Sequence, residues 1–375
     1  MTKIRPDQPT RSRPLRVLIA GGGTGGHLYP GLAVAEALRT LEPQVEIRFA
    51  GSRRGLEARE VPRRGYRLYT ILVRGLFGVS RWRRFLGLSL LPLAFFKSLW
   101  VLLTFRPHLV LGVGGYASGP ILATALLLGR RCVLQEQNAY PGITNRLLGR
   151  FVRTAFTTVT DAHGFFPRAI VTGNPVRHEI LSLRAEAPAS DHPSLPPQIF
   201  ILGGSLGARA INKAVTEALP LLAATRHPPR IVHQTGRLDI EWVSQAYSAA
   251  SLEARVTPFL EDIASVYRDS ALVISRAGAS AVGEFIAARK PSVLIPIPGT
   301  SGEHQLHNAQ RLVAAGAAIL IPQAELTPAL LVETVQALLA DPQRRMEMAK
   351  ATDALYPGDA AQRIAIECLK IMEPR

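Results

Sequence analysis

Seven residues near the amino end, GGGTGGH (Gly21–His27), follow a short apolar run and precede a helix-like pattern. Such a glycine-rich turn leaves backbone N–H groups free to approach a ligand closely, most often a phosphate. The histidine that ends it points to proton transfer instead. In the first helical turn, beside that cradle, an imidazole can take a proton from a hydroxyl near neutral pH. His27 is therefore the first candidate general base. The plain alternative, a histidine capping the helix, leaves the glycines unexplained. Gly21, Gly23 and Gly26 also satisfy the G-x-G-x-x-G spacing, but the next strand ends FAGS (Phe49–Ser52), with no acidic residue to hold a ribose. A P-loop would carry lysine where His27 stands. Both nucleotide readings of this loop lose ground.

The second half holds the better nucleotide candidate. Gly203, Gly204 and Ser205 precede a helix, whose N–H groups and dipole can receive a diphosphate. SRAGASAVGEFIAARK (275–290) gives another strand–loop–helix with a small-residue start at Gly278, Ala279 and Ser280. Glu284 follows one turn later, where a carboxylate can accept hydrogen bonds from both ribose hydroxyls. On an ordinary surface helix it would be a solvated charge. The sequence contains no D-x-D triplet, so helix dipoles and a cation would replace the metal that often holds a sugar nucleotide. Arg177, in GNPVR, is the candidate cation, since guanidinium grips phosphate in bidentate fashion.

Positioning such loops requires strands that end at them. Apolar runs suited to strands lie at 16–20, 45–50, 109–113, 132–135, 199–202, 230–234, 272–275 and 292–296, and stretches such as 30–41 and 279–289 have helical period. This alternation implies parallel sheets covered by helices. VLIAGGGTGG near the start is echoed by IFILGGSLGA (199–208), after a proline-rich stretch, LRAEAPASDHPSLPPQ (183–198), that reads as loop near a domain boundary. The expected organisation is a flexible tail (1–14) and two Rossmann-like doubly wound domains (15–174 and 175–357) facing a cleft. A last helix, about 358–375, is expected to pack back on the first domain. In such sheets ligands bind where loops leave the carboxyl ends of the strands.

The chain has 375 residues, of which 47% are hydrophobic and 19% charged, a globular composition long enough for two cores. Cys132 and Cys368 stand far apart in apolar segments, as buried small hydrophobes rather than a disulfide or zinc framework. The amino-terminal MTKIRPDQPTRSRPLR lacks the apolar stretch of a signal peptide, so a cytoplasmic protein is expected. A net charge of +16 favours polyanionic partners: nucleic acid, anionic lipid or phosphorylated substrates.

In order along the chain, GGGTGGH (21–27), GVGGYASGP (112–120), QEQNAYPGITNR (135–146), TGNPVR (172–177), GGSLGARAIN (203–212), HQTG (233–236), SRAGASAVGE (275–284) and HQLHNA (304–309) closely resemble the bacterial peptidoglycan N-acetylglucosaminyltransferases that convert lipid I to lipid II. The likeness spans about Leu15 to the last helix. It implies a GT-B fold, with the donor, UDP-N-acetylglucosamine, held mainly by the carboxyl-terminal domain. The implied acceptor is undecaprenyl-diphosphate-linked muramylpentapeptide, and no cofactor is implied. By this resemblance Thr24, Gly25 and Gly26 meet donor or acceptor at the cleft, Asn138 and Arg177 contact the donor, and Gly204 and Ser205 meet its diphosphate. Leu260 offers its backbone to uracil. Ala279, Ser280, Ala281, Val282, Gly283 and Glu284 hold phosphate and ribose. The Gly114-Gly115-Tyr116 loop receives the acceptor's own diphosphate. Three positions depart from the family pattern: Leu206 replaces a frequent glutamine, His304-Gln305 stands for Gln-Gln at a sugar hydroxyl, and Gln135 stands where relatives can have histidine.

The segment from Ser80 to His108 is the most apolar of the chain, and 86–105 has the length of a membrane span. Lys97 and Pro92 within it, and the strand pattern that follows at once, argue instead for a crossover helix. One face can pack on the sheet, leaving Phe95, Phe96, Trp100 or their neighbours outward beside Trp82 and Arg81, Arg83 and Arg84. That surplus suits the surface of an anionic membrane, and burial under a loop or a dimer partner is the alternative. The resemblance favours the membrane, as a peripheral protein on its cytoplasmic side. The expected reaction is an inverting, metal-independent transfer in which His27 deprotonates the muramyl 4-hydroxyl. Glu136 is a second candidate for base or for orienting the acceptor. Two rivals remain open. A GT-B enzyme with another lipid acceptor would differ around 112–146. A nucleic-acid-binding protein would need a basic stripe with stacking aromatics, which a 6% aromatic content concentrated in apolar runs disfavours.

Overall fold

The structure, a computed structural model, describes residues 14–53, 55–73, 85, 87, 89–138, 140–160, 164–186, 196–204, 207–250, 252–299 and 303–373. The expected tail thus lies almost wholly outside the described residues, as do Trp82 and the arginines beside it.

Two parallel sheets organise the chain. The first comprises β1 (Arg16–Gly21), β2 (Glu46–Ser52), β3 (Arg67–Ile71), β4 (Leu109–Gly114), β5 (Arg131–Glu136), β6 (Thr154–Thr157) and β7 (Ala169–Val171). Its spatial order is β3-β2-β1-β4-β5-β6-β7. The second comprises β8 (Gln198–Leu202), β9 (Arg230–Gln234), β10 (Ala254–Thr257), β11 (Ser270–Ser275), β12 (Ser292–Leu294) and β13 (Ala318–Leu320), ordered β10-β9-β8-β11-β12-β13. Every pairing is parallel. Both orders reverse direction beside their first strand, at β1/β4 and at β8/β11. Each reversal opens a crevice at the carboxyl ends of the strands, where loops can reach a ligand.

The central strands are covered on both faces, which is why they read as unbroken apolar runs. In β1, Val17 to Gly21 are all buried. β3, β6, β7, β10 and β13 were not among the expected strands. β3 and β10 are sheet edges with half-exposed, charged patterns, RLYTI and ARVT. β6, β7 and β13 are three or four residues long, too short to show a period.

Helix Gly25–Leu41 lies on the first sheet with Leu28, Leu32 and Leu38 buried against Val17 and Ile19. The closing helix Ala360–Met372 inserts Ile364, Ala365, Cys368 and Met372 into the same core. Arg131 fastens it by donating to the carbonyls of Ile371 and Glu373. Both cysteines are buried and free, and burial pushes the Cys132 thiol up to about 12.

Helix Leu91–Phe105 buries Ala94, Ser98, Val101, Leu102 and Phe105. Its other face exposes Leu93, Phe95, Phe96, Trp100 and Leu103, with Phe96 71% exposed and Leu127 of the adjoining helix 84% exposed. Phe95, Phe96 and Leu127 join Pro92, Leu99 and Leu128 in an apolar groove between the two helices. Among the described residues no helix is long and apolar enough to cross a membrane.

Candidate active site

The carboxyl ends of the two sheets enclose a cleft of about 620 Å³. Thr24, Gly25, Gly26, His27 and Asn138 line it on one side, and Arg177, Gly204, Leu260, Ala279, Ser280, Ala281, Glu284 and Gln305 on the other. Ser205 lies outside the described residues. Four other groups of sequence-predicted residues do not line this cleft. Val282 and Gly283 turn toward a smaller cavity beside the domain crossing. His304 packs against the ring of Tyr140, centroids 5.6 Å apart, and burial lowers its pKa. Gly114 and Gly115 pack behind the first loop, and Tyr116 is exposed. Glu136 is 1% exposed.

The first loop owes its shape to close backbone packing. Gly114 and Gly115 have φ of +91° and +82°, values that L side chains rarely adopt. A Cβ on Gly115 would lie 2.3 Å from the Gly22 carbonyl oxygen, and one on Gly114 would lie 2.7 Å from Nδ1 of His27. This opening lets the imidazole lie against the end of β4. Thr24 is extended at the helix start, and its carbonyl accepts from the Leu28 N–H at 3.1 Å.

The partners of His27 assign its tautomer. Nδ1 lies 3.1 Å from the Val113 carbonyl oxygen and 3.2 Å from Oε1 of Gln137. The amide of Gln137 is itself oriented, because its Nε2 donates to that same carbonyl at 2.8 Å. Both groups facing Nδ1 are acceptors, so Nδ1 carries the proton and the lone pair is on Nε2. The ring is thereby a base in form, within the cleft.

A chain of amides continues from it. Gln137 Nε2 donates to Gln135 Oε1 (2.8 Å), Gln135 Nε2 to Asn174 Oδ1 (3.3 Å) and Asn174 Nδ2 to the carbonyl of Ala279 (3.3 Å). It joins the base to the helix Ala279–Ala287 on the opposite side of the cleft.

Glu136, expected as a base or an orienting group, has no free acceptor direction for an acceptor hydroxyl. Oε1 accepts from the N–H and Nδ2 of Asn138, and Oε2 from the N–H of Gly142 and Nδ2 of Asn145. Four donors hold this carboxylate in the wall of its own loop, and it presents Asn138 to the cleft.

Arg177 and Glu284, expected on diphosphate and ribose respectively, are bound to each other. Nη2 of Arg177 donates to Oε1 of Glu284 at 2.8 Å, and Oε2 accepts from the Tyr267 hydroxyl at 3.0 Å. The guanidinium also lies over the Tyr29 ring, 4.3 Å from its centroid. Burial works against the Arg177 charge, yet Glu284 and Tyr29 hold its pKa above the usual range. Leu260 is buried, and its N–H points to Oε1 of Gln234 at 3.4 Å. Gln234 in turn donates to the Gly204 carbonyl at 2.9 Å. Ser280 closes the cleft floor by donating its hydroxyl to the Gly26 carbonyl at 3.0 Å.

Tyr29, Gln137, Gln234 and Arg209 belong to the cleft lining and were not singled out from the sequence. Gln137 and Gln234 lie inside quoted motifs, QEQN and HQTG, but an uncharged amide gives no signal until its partners are known. Arg209 begins the helix after Gly204, a cation at a phosphate-type turn that residue type alone could have flagged.

Comparison with known proteins agrees with this arrangement. Residues 17–157 match the glycosyltransferase family 28 N-terminal domain, and residues 198–364 match its C-terminal domain. The UDP-N-acetylglucosamine--N-acetylmuramyl-(pentapeptide) pyrophosphoryl-undecaprenol N-acetylglucosamine transferase of Anaeromyxobacter dehalogenans (strain 2CP-C) is 42% identical over 363 residues, 96% of this chain and 94% of that protein. The protein of the same name from Myxococcus xanthus (strain DK1622) is 42% identical over 362 residues, 96% of this chain and 93% of that one. The crystal structure of Acinetobacter baumannii MurG superposes with a TM-score of 0.72 at 29% identity, covering 95% of this chain and 100% of that one. CalG4, the calicheamicin glycosyltransferase, shares the fold at a TM-score of 0.63 and 18% identity, with 96% and 100% covered. Two facing Rossmann-like domains, both family 28 matches and near full-length relatives place this chain in the GT-B family of UDP-N-acetylglucosamine–lipid I N-acetylglucosaminyltransferases.

Proposed function

We propose that this chain transfers N-acetylglucosamine from UDP-N-acetylglucosamine to the muramyl 4-hydroxyl of undecaprenyl-diphosphate-linked muramylpentapeptide, making lipid II for peptidoglycan. The observation that carries the mechanism is the tautomer of His27. With Nδ1 donating to Val113, Nε2 can accept the proton of an alcohol brought into the cleft. The hydroxyl oxygen then attacks the anomeric carbon, the bond from that carbon to the diphosphate oxygen breaks, and UDP departs with its electron pair. Attack opposite the leaving group inverts the anomeric centre.

The donor is read onto the second domain. The turn at Gly203-Gly204 and the start of helix Ala279–Ala287 would face the diphosphate with N–H groups, with Arg209 the nearby cation. Glu284, oriented by Arg177 and Tyr267, would receive the ribose hydroxyls, and the Leu260 backbone would receive uracil. The outward face of helix Leu91–Phe105 supports a docking role at an anionic membrane surface, where the lipid acceptor resides.

The test is transfer of labelled N-acetylglucosamine to lipid I, with diacylglycerol as the rival acceptor. His27→Ala is expected to lower kcat by about 10²- to 10⁴-fold at unchanged melting temperature. Near-normal turnover by that variant removes the base assignment. Thermal stabilisation by UDP-N-acetylglucosamine, larger than by UDP-glucose or NAD and unchanged by EDTA, checks the donor site.

A further inference from the structure

The first glycine loop has the form of a phosphate cradle, and the structure shows an occupant. Glu57 opens the short helix Glu57–Arg63 and is 1% exposed. Its Oε2 accepts the N–H of Gly23 at 2.8 Å, and its Oε1 accepts the N–H of Ser52 at 2.7 Å. The carboxylate therefore bridges the loop after β1 and the end of β2. Glycines wall it on three sides. A Cβ on Gly22 or Gly51 would come within 2.6 Å of its side chain, and one on Gly55 within 2.2 Å. The space is shaped for a carboxylate and for nothing larger beside it.

We propose that Glu57 is an internal anion that fills the cradle of the first glycine loop and fixes the loop presenting Thr24 to His27, a positioning residue for the transfer. No phosphate of either substrate then sits on the Gly23 N–H. This inference rests on the reading of His27 as the base. The mechanical link is short. Gly23 is held by Glu57, and Thr24 follows directly. The Thr24 carbonyl accepts the N–H groups of His27 and Leu28, at 3.3 and 3.1 Å. A shift of Gly23 displaces the imidazole from the end of β4, and misplacement of a catalytic group by about 1 Å can cost on the order of 10²-fold in rate.

The experiment separates positioning from plain support of the fold. In Glu57→Ala the side chain is gone, while the two backbone N–H groups and the glycine walls remain. Formate, a free carboxylate, can then take its place. Expected is a fall in kcat of roughly 10²-fold with donor KM changed by less than about threefold, and recovery of at least tenfold by sodium formate but not by sodium chloride. Glu57→Gln keeps the volume but turns an N–H₂ toward one of the two donors, and it is expected to lower kcat without gaining from formate. Should Glu57→Ala prove too unstable to assay, its melting temperature is expected to rise with formate and not with chloride, and Glu57→Gln then supplies the kcat reading. Turnover within twofold of the parent in Glu57→Gln, or a loss in Glu57→Ala that formate leaves unmoved, overturns the proposal. His27→Ala, assayed in parallel, distinguishes the failures: if it stays active the base reading falls, and if it alone is inactive only the role of Glu57 falls.

Discussion

His233 shows how far burial alone can set a residue's chemistry. It lies at the end of β9, completely buried, with Nε2 at 3.0 Å from Oδ1 of Asn212 and Nδ1 at 3.1 Å from the Tyr247 hydroxyl. Burial pushes its pKa from the ordinary 6.5 down to about 3. The folded protein therefore binds fewer protons here than the unfolded chain, so the stability this group contributes is present above pH 6.5 and lost as pH falls from 6.5 toward 3. Between pH 7.5 and 5.5 that loss is on the order of 1 kcal/mol. Urea unfolding of the parent and of His233→Gln at both pH values checks it, and an equal pH dependence in the two would contradict the assignment. His27 differs in kind, being placed in the cleft with its tautomer set by Val113. It is legible in the sequence because a histidine ending a glycine run is chemically unusual. Glu57 is not legible, because nothing in GLEARE reveals that its carboxylate folds back onto a loop thirty-odd residues earlier. Gln137 and Asn174 stay silent for the same reason: an amide's role is its partners.

At the scale of elements, burial decides what a pattern can reveal. Central strands such as β1, β4 and β8 are covered on both faces, so their apolar runs stand out without any structure. Edge strands β3 and β10 mix charge with apolar residues, and only their pairing to β2 and β9 makes them strands. Helix Leu91–Phe105 carries more apolar surface than one sheet can cover, and that surplus is legible as sequence. Which residues face outward is decided by packing on the sheet: Phe96 and Trp100 are exposed while Val101 and Leu102 are not. Lys97 lies over the Trp100 ring at 3.9 Å, placing a cation at the edge of the apolar face. Phe96 is exposed and Trp100 half-exposed, its ring edge-on to Tyr69 with centroids 6.0 Å apart, so replacing both by serine leaves the buried face of the helix intact and should lower melting only slightly. Partition onto vesicles containing phosphatidylglycerol should fall by on the order of tenfold or more, as expected for two aromatic side chains withdrawn from a bilayer interface. Sedimentation of protein with such vesicles measures it. Unchanged binding would move the membrane contact elsewhere on the molecule.

The whole molecule works only if its two halves meet in register, and one short helix governs much of that meeting. Glu57 at the start of helix Glu57–Arg63 holds the first glycine loop, while Arg59 and Arg63 further along it reach across to the second domain. Arg63 grips Glu261 through two bonds of 2.7 and 2.8 Å, and the Arg59 guanidinium lies 4.8 Å from the Phe259 ring centroid. Phe259 and Leu260 line the cleft, so the clasp fixes the segment proposed to receive uracil. The Arg63 pair is solvent-exposed and its worth is correspondingly small and salt-dependent. Its geometry nevertheless yields a directional prediction. Arg63→Glu sets two carboxylates face to face and should raise the donor KM by on the order of two- to fivefold, less so at high salt. Glu261→Arg alone should do the same, and the double exchange should restore the parent value, because the pair is recreated in reverse. The amide chain through Asn174 and the Ser280–Gly26 hydrogen bond remain in all three variants, so kcat at saturating donor should change little. Additive KM effects in the double variant would mean that the two side chains act separately, and that the halves are brought together by the cleft floor alone.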